Sequence, residues 1–105
     1  MSRKNTLKKM ASLIGNAAAH RALEPNSAFS LREAWLYETQ AAEEAEMRAW
    51  NESGIALFRD RALRYASNVI RKRTRSHRGR SVVELNTQVA RTVDEFISKE
   101  LQRKR

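Results

Sequence analysis

The side chains in this sequence best suited to chemistry are cationic. Between Arg61 and Arg80, the stretch RALRYASNVIRKRTRSHRGR holds eight Lys or Arg and no Asp or Glu. Asp60 is the last acid before it and Glu84 the first after it. Guanidinium groups stay charged at physiological pH and form planar, bidentate hydrogen bonds with phosphate oxygens. A dense run of them is suited to following a nucleic-acid backbone, which supplies affinity without reading bases. Arg64, Arg71, Lys72, Arg73, Arg75, Arg78 and Arg80 are therefore the candidate nucleic-acid-binding residues. Lys4, Lys8 and Lys9 would extend the patch if the first helix lies alongside. The plainer reading is a solvated cationic surface, paired with acids of the same or another chain.

A second chemistry centres on His77. With Arg71 or Arg73 it would join an imidazole acid/base to a guanidinium that stabilises charge on phosphate, a combination that cleaves RNA. Arg71, five intervening residues and His77 resemble the Arg-x(4–6)-His signature of HEPN domains. These domains are all-helical and of comparable size, and some are RNases. The resemblance covers seven residues and implies Arg71 and His77 as the catalytic pair of an RNase or toxin/antitoxin-type domain. Lys72 departs from the pattern, because Asn, Asp or His commonly follows that Arg. The alternative is that His77 is one more loop residue, titrating near neutrality.

Both sites depend on a helix that ends inside the basic run. At about 100° per residue, Ala62, Leu63, Ala66, Val69 and Ile70 share one arc, with Arg61, Arg64, Arg71, Lys72 and Arg75 opposite. Arg73 projects back toward the apolar arc, so core contact is expected to end near Ile70. RKRTRSHRGR is too charged to bury, and Gly79 offers a break. Residues 61–80 therefore read as a helix end running into a basic loop. Tyr65 is expected to edge the core.

The other elements follow from the same periodicity. A first helix spans 3 to about 22, with Leu7, Met10, Ala11, Ile14, Ala17 and Ala18 on one face. Pro25 disfavours helical geometry at Glu24 and should stop it. Ser30–Leu31–Arg32–Glu33 matches a capping box for the second helix. That helix carries Leu31, Trp35, Ala42, Ala45 and Ala49 on one side, with Leu36 and Met47 on another. Residues 31–60 hold seven acids against three Arg, so this segment is net −4 in a chain of +9. Asn51–Gly54 is the expected break before the third helix, with a single uninterrupted helix as the alternative. A second capping box, Ser81–Glu84, opens the last helix, whose apolar stripe is Val82, Leu85, Val89, Val93, Phe96 and Ile97. Arg91, Glu95 and Lys99 form its exposed row, and 102–105 should fray. Trp35, Trp50 and Phe58 are read as core or interface anchors.

Composition sets the outer limits. One hundred and five residues make one domain (1–105). An apolar fraction of 41%, much of it Ala, gives a thin core, so dimer formation is expected. There is no cysteine, which removes disulfides, thiolate zinc and cysteine nucleophiles. Glu38, Glu43, Glu44 and Glu46 lack a partner His on the same helix, so a salt-bridged face is favoured over a carboxylate metal centre. Hydrolase triads, phosphate-cradling Gly loops and dinucleotide fingerprints are absent, and no metal or other cofactor is expected. No run of 18 apolar residues occurs, and the N-terminus lacks the sustained apolar core of a signal peptide. A cytoplasmic protein is the default.

The sequence thus predicts an all-α bundle of three or four helices that self-associates. Its expected role is non-enzymatic nucleic-acid binding without strong sequence preference. The alternatives are the RNase reading and a helical protein–protein interaction module.

Overall fold

Helix α1 (Arg3–Leu23) is the element around which the rest is packed. Thr6, Leu7, Met10, Ala11, Ile14, Ala17, Ala18, Ala19, Ala22 and Leu23 are all buried. On a helical wheel these positions cover about 260°, far more than the single stripe of a surface helix. The cause is its neighbours. It packs most extensively against α3 (Glu52–Lys72) and α2 (Ala28–Glu46), and also against α4 (Val82–Phe96). The computed structural model describes residues 3–46, 49–73 and 82–102. Among them there are four α-helices and no strand, so the chain is an all-α bundle.

Small side chains let the helices approach closely. Gly15 on α1 is buried, and a Cβ there would lie 2.8 Å from Tyr65 Cβ, 2.9 Å from Tyr65 Cδ1 and 3.0 Å from the Ala62 carbonyl oxygen. Glycine is therefore required by the α1–α3 crossing, despite its poor helix propensity. On α2 the buried residues are Ser30, Ala34, Ala41 and Ala45. The large side chains of the core come from the other helices: Met10, Ile14, Phe58, Leu85 and Val93 are fully enclosed. The Phe58 and Phe96 rings sit 5.6 Å apart, tilted by 38°.

The helix ends explain most of the boundaries. Pro25 ends α1 as expected, and Glu24 N–H makes the last bond back to the His20 carbonyl, 3.0 Å. The expected capping box at Ser30–Glu33 is not used. Helix α2 starts earlier, and Ser27 is its cap: its hydroxyl accepts from Ser30 N–H at 3.2 Å, and its carbonyl accepts from Leu31 N–H at 2.9 Å. The tight turn at Pro25–Asn26 leads into the helix sooner than the sequence motif suggested, which leaves Ser30 buried inside it. The uninterrupted-helix alternative is also overturned. Asn51 caps α3, with its side-chain oxygen accepting from Gly54 N–H at 2.7 Å.

At the far end, Arg73 closes α3 by donating its N–H to the Ile70 and Val69 carbonyls at 3.0 and 3.2 Å. Helix α4 begins at Val82, where the sequence placed a helix start, but Ser81 of the second capping box lies outside the described residues. Its stripe of Leu85, Val89, Val93, Phe96 and Ile97 is buried. A π-helical turn, Ile97–Leu101, follows and brings Leu101 into the core. No helix among the described residues is long and apolar enough to cross a membrane.

Candidate nucleic-acid interface

Helix α3 divides cleanly into two faces. Phe58, Ala62, Ala66 and Ile70 are buried, and Leu63 and Val69 pack against them. Across the helix, Leu57, Asp60, Arg61, Arg64, Tyr65, Asn68, Arg71 and Lys72 occupy a solvent-side arc of about 140°. Arg64, Arg71 and Lys72 are exposed and Arg61 is half-buried. Arg64 meets Asp60 at 3.2 Å, an i,i+4 pair with 77% and 53% of the two side chains exposed. Such a pair contributes little, about 0.3–0.5 kcal/mol, and leaves the guanidinium available. Among the described residues, Arg61, Arg71 and Lys72 have no acid within ion-pair distance. Arg71 and Lys72 also occupy the last turn of α3, where cations complement the negative end of the helix dipole.

Helix α1 forms the other wall. Lys8 and Ser12 of α1 line a groove with Leu57, Asp60, Arg61, Arg64, Tyr65 and Asn68 of α3, with a volume of about 610 Å3. A shallower depression continues over α3 past Leu63, Ser67 and Arg71, and shares Asp60, Arg64 and Asn68 with the groove. Lys8 thus joins the α3 cations, as α1 lying alongside would require. Lys9 does not: its ammonium pairs with Glu44 of α2 at 3.2 Å. Tyr65 is 38% exposed and Leu57 47%, so the groove has an apolar component between its cations.

Arg73 is held differently from its neighbours. Its Nη2 lies 3.4 Å from Glu24 Oε1, at the turn between α1 and α2. The Ser30 hydroxyl donates to the same carboxylate oxygen, and His20 Nδ1 is 3.4 Å from Ser30 Oγ. The His20 ring stands 5.9 Å from that of Tyr37. The hydrogen bond from Ser30 holds the Glu24 carboxyl below its ordinary pKa, aided by the charges of Arg73 and His20. This cluster joins α1, α2 and the end of α3, so Arg73 is a fastening residue as well as a surface cation. Sequence reading missed it because Glu24 and Arg73 are 49 positions apart. Arg75, Arg78 and Arg80 lie outside the described residues, as does His77, so the geometry of the Arg71/His77 pair is undefined.

Two further ion pairs tie helices together. Arg21 reaches Glu38 of α2 with two bonds of 2.8 Å, which raise the pKa of its guanidinium. Arg59 grips Asp94 of α4 at 2.7 and 3.2 Å, with the same effect. Two acids of α2, Glu38 and Glu44, are therefore matched to α1. Among the described residues, no group of three His, Asp or Glu could hold a metal ion. Phe58 is core and Trp50 packs against it, donating its indole N–H to the Ala45 carbonyl at 3.1 Å. Trp35, expected to be a core or interface anchor, is not in the core. It is 58% exposed, because alanines supply the buried face of α2, and Phe29 and Leu36 are also exposed on that helix.

No known protein family, curated protein or solved structure matches this chain. Any functional reading therefore rests on the site itself.

Proposed function

We propose that this protein is a non-enzymatic nucleic-acid-binding or accessory protein that contacts phosphates through the α3 face and the basic residues following it. One observation supports the reading most strongly. Lys9, Arg21 and Arg59 are each tied to an acid of another helix, whereas Lys8, Arg61, Arg64 and Arg71 line one groove and its continuation, where Asp60 is the only acid. A charge distribution that spends its acids elsewhere leaves a concentrated positive field, which raises local phosphate concentration and association rate. Four arginines among the next eight residues, Arg73 to Arg80, continue the same charge in sequence.

The test is binding of labelled single-stranded RNA and duplex DNA across a salt series, comparing the parent with an Arg64/Arg71/Lys72→Ala variant. These three side chains are exposed, so the variant should fold normally. Each lost phosphate contact lowers the log–log salt slope by about 0.7–0.9. The variant should therefore lose about two to three units of slope and at least about tenfold in affinity near physiological salt. A variant indistinguishable from the parent would mean that this face is only a solvated surface.

A further inference from the structure

A duplex presents phosphates and keeps its base faces stacked inside. An unpaired strand exposes base faces that can stack on an aromatic side chain set beside the cations. The α1/α3 groove has both. Tyr65 and Leu57 lie two turns apart on the same face of α3, substantially exposed, with Arg61 and Arg64 between them along the helix and Lys8 on the α1 wall of the groove. Tyr65 is also fixed in place: its Cβ and Cδ1 sit against Gly15, which leaves the rest of its ring to line the groove. At about 610 Å3 the groove falls within the range of small-molecule sites, about 300–1,000 Å3.

We infer that the α1/α3 groove is a single-strand site, in which an unpaired base stacks on Tyr65 while Lys8, Arg61 and Arg64 hold the adjoining phosphates. The inference rests on the nucleic-acid reading above and narrows it to unpaired strands. Single-strand-binding proteins combine these two elements, an electropositive track and an aromatic platform. The ligand needs no particular sequence, because every base offers a π-face. Asp60 is the one acid in the groove, and it engages Arg64 at 3.2 Å. An arriving phosphate must displace that carboxylate, so Asp60 opposes binding.

The experiment uses a fluorescent RNA of about 12 nucleotides, within single-strand site sizes of about 4–16, and the duplex of the same sequence. Parent protein, Tyr65→Leu and Asp60→Asn are compared near physiological salt, with circular dichroism as the check on folding. The parent should prefer the single strand. Tyr65→Leu should weaken single-strand binding by roughly 5- to 100-fold, with little change in salt slope or duplex affinity. Asp60→Asn changes only an exposed carboxylate, so it keeps the inference testable should Tyr65→Leu disturb the Gly15 contact. It should tighten single-strand binding by about 2- to 5-fold, an effect that shrinks as salt screens the charge.

A parent that favours duplex would overturn the single-strand site, as would a folded Tyr65→Leu that binds like the parent or an Asp60→Asn without effect at low salt. If Arg64/Arg71/Lys72→Ala still loses affinity in those cases, the broader nucleic-acid reading survives. If the parent binds neither nucleic acid, both fall.

Discussion

Replacing Gly15 with Ala sets two known effects against each other, and the α1–α3 packing decides the sign. Gly15 lies within α1, where Ala is favoured over Gly by about 1 kcal/mol. The new Cβ, however, would meet Tyr65 Cβ at 2.8 Å and the Ala62 carbonyl oxygen at 3.0 Å. Neither atom can rotate away, since one is fixed to the α3 backbone and the other belongs to it. Relief requires α3 to move as a unit, which would loosen Ala62 and Ala66 from the core. Overpacking of this kind costs about 1–3 kcal/mol, and with rigid partners the upper part of that range applies. The net expectation is a loss of about 1–2 kcal/mol, or a Tm about 5–10 °C lower in a domain of this size. Gly54→Ala is the internal control. Its Cβ would meet only the movable end of Asn51, Oδ1 at 3.2 Å, and Trp50 Cε3 at 3.5 Å, so the helix-propensity gain should leave stability equal or higher. Thermal and urea unfolding followed by circular dichroism reads both variants. A Gly15→Ala protein as stable as the parent would refute the close α1–α3 contact, and with it the placement of Tyr65.

Two further outcomes test the core and the turn cluster. Phe58→Ala removes a fully buried ring packed against Phe96, and should cost about 3–5 kcal/mol, enough to shift much of the chain to the unfolded state at moderate urea. Glu24 gives the acid dependence. Its folded pKa is lowered from the ordinary 4.5, so its contribution is complete above that value and disappears as pH falls through the lowered one. Glu24→Gln should therefore be less stable than the parent near neutrality and converge with it in acid. Urea midpoints measured across pH that stay a constant distance apart would count against the Ser30–Glu24–Arg73 linkage.

The periodicity of apolar residues was enough to locate α1, α3 and α4, because their buried faces carry large side chains at helical spacing. It misled on α2. There the sequence suggests a face of Leu31, Trp35, Ala42, Ala45 and Ala49, yet the buried residues are Ser30, Ala34, Ala41 and Ala45. Which α2 residues are buried is set by the neighbouring helices and is invisible within the helix itself. The same limit applies to Ser30. Three residues before Glu33 it has the spacing of a cap, and nothing local reveals that Pro25 and Ser27 start the helix first. In the candidate site, the cations of α3 were legible as a run, but Lys8 and Tyr65 joined them only through the α1–α3 crossing at Gly15.

That crossing also separates structural charge from available charge. The first helix carries cations on several sides, and the acids of α2 lie along only one of them. Lys9 and Arg21 fall on that side and are bound to Glu44 and Glu38. Lys8, one residue earlier than Lys9, is turned by about 100° and faces α3, where the nearby groove holds Asp60 alone against Arg61 and Arg64. A one-residue change in register along α1 thus decides whether a lysine fastens the bundle or extends its positive surface. Helix α1 thus ties two acids of its acidic neighbour and adds a cation to the groove of its basic one.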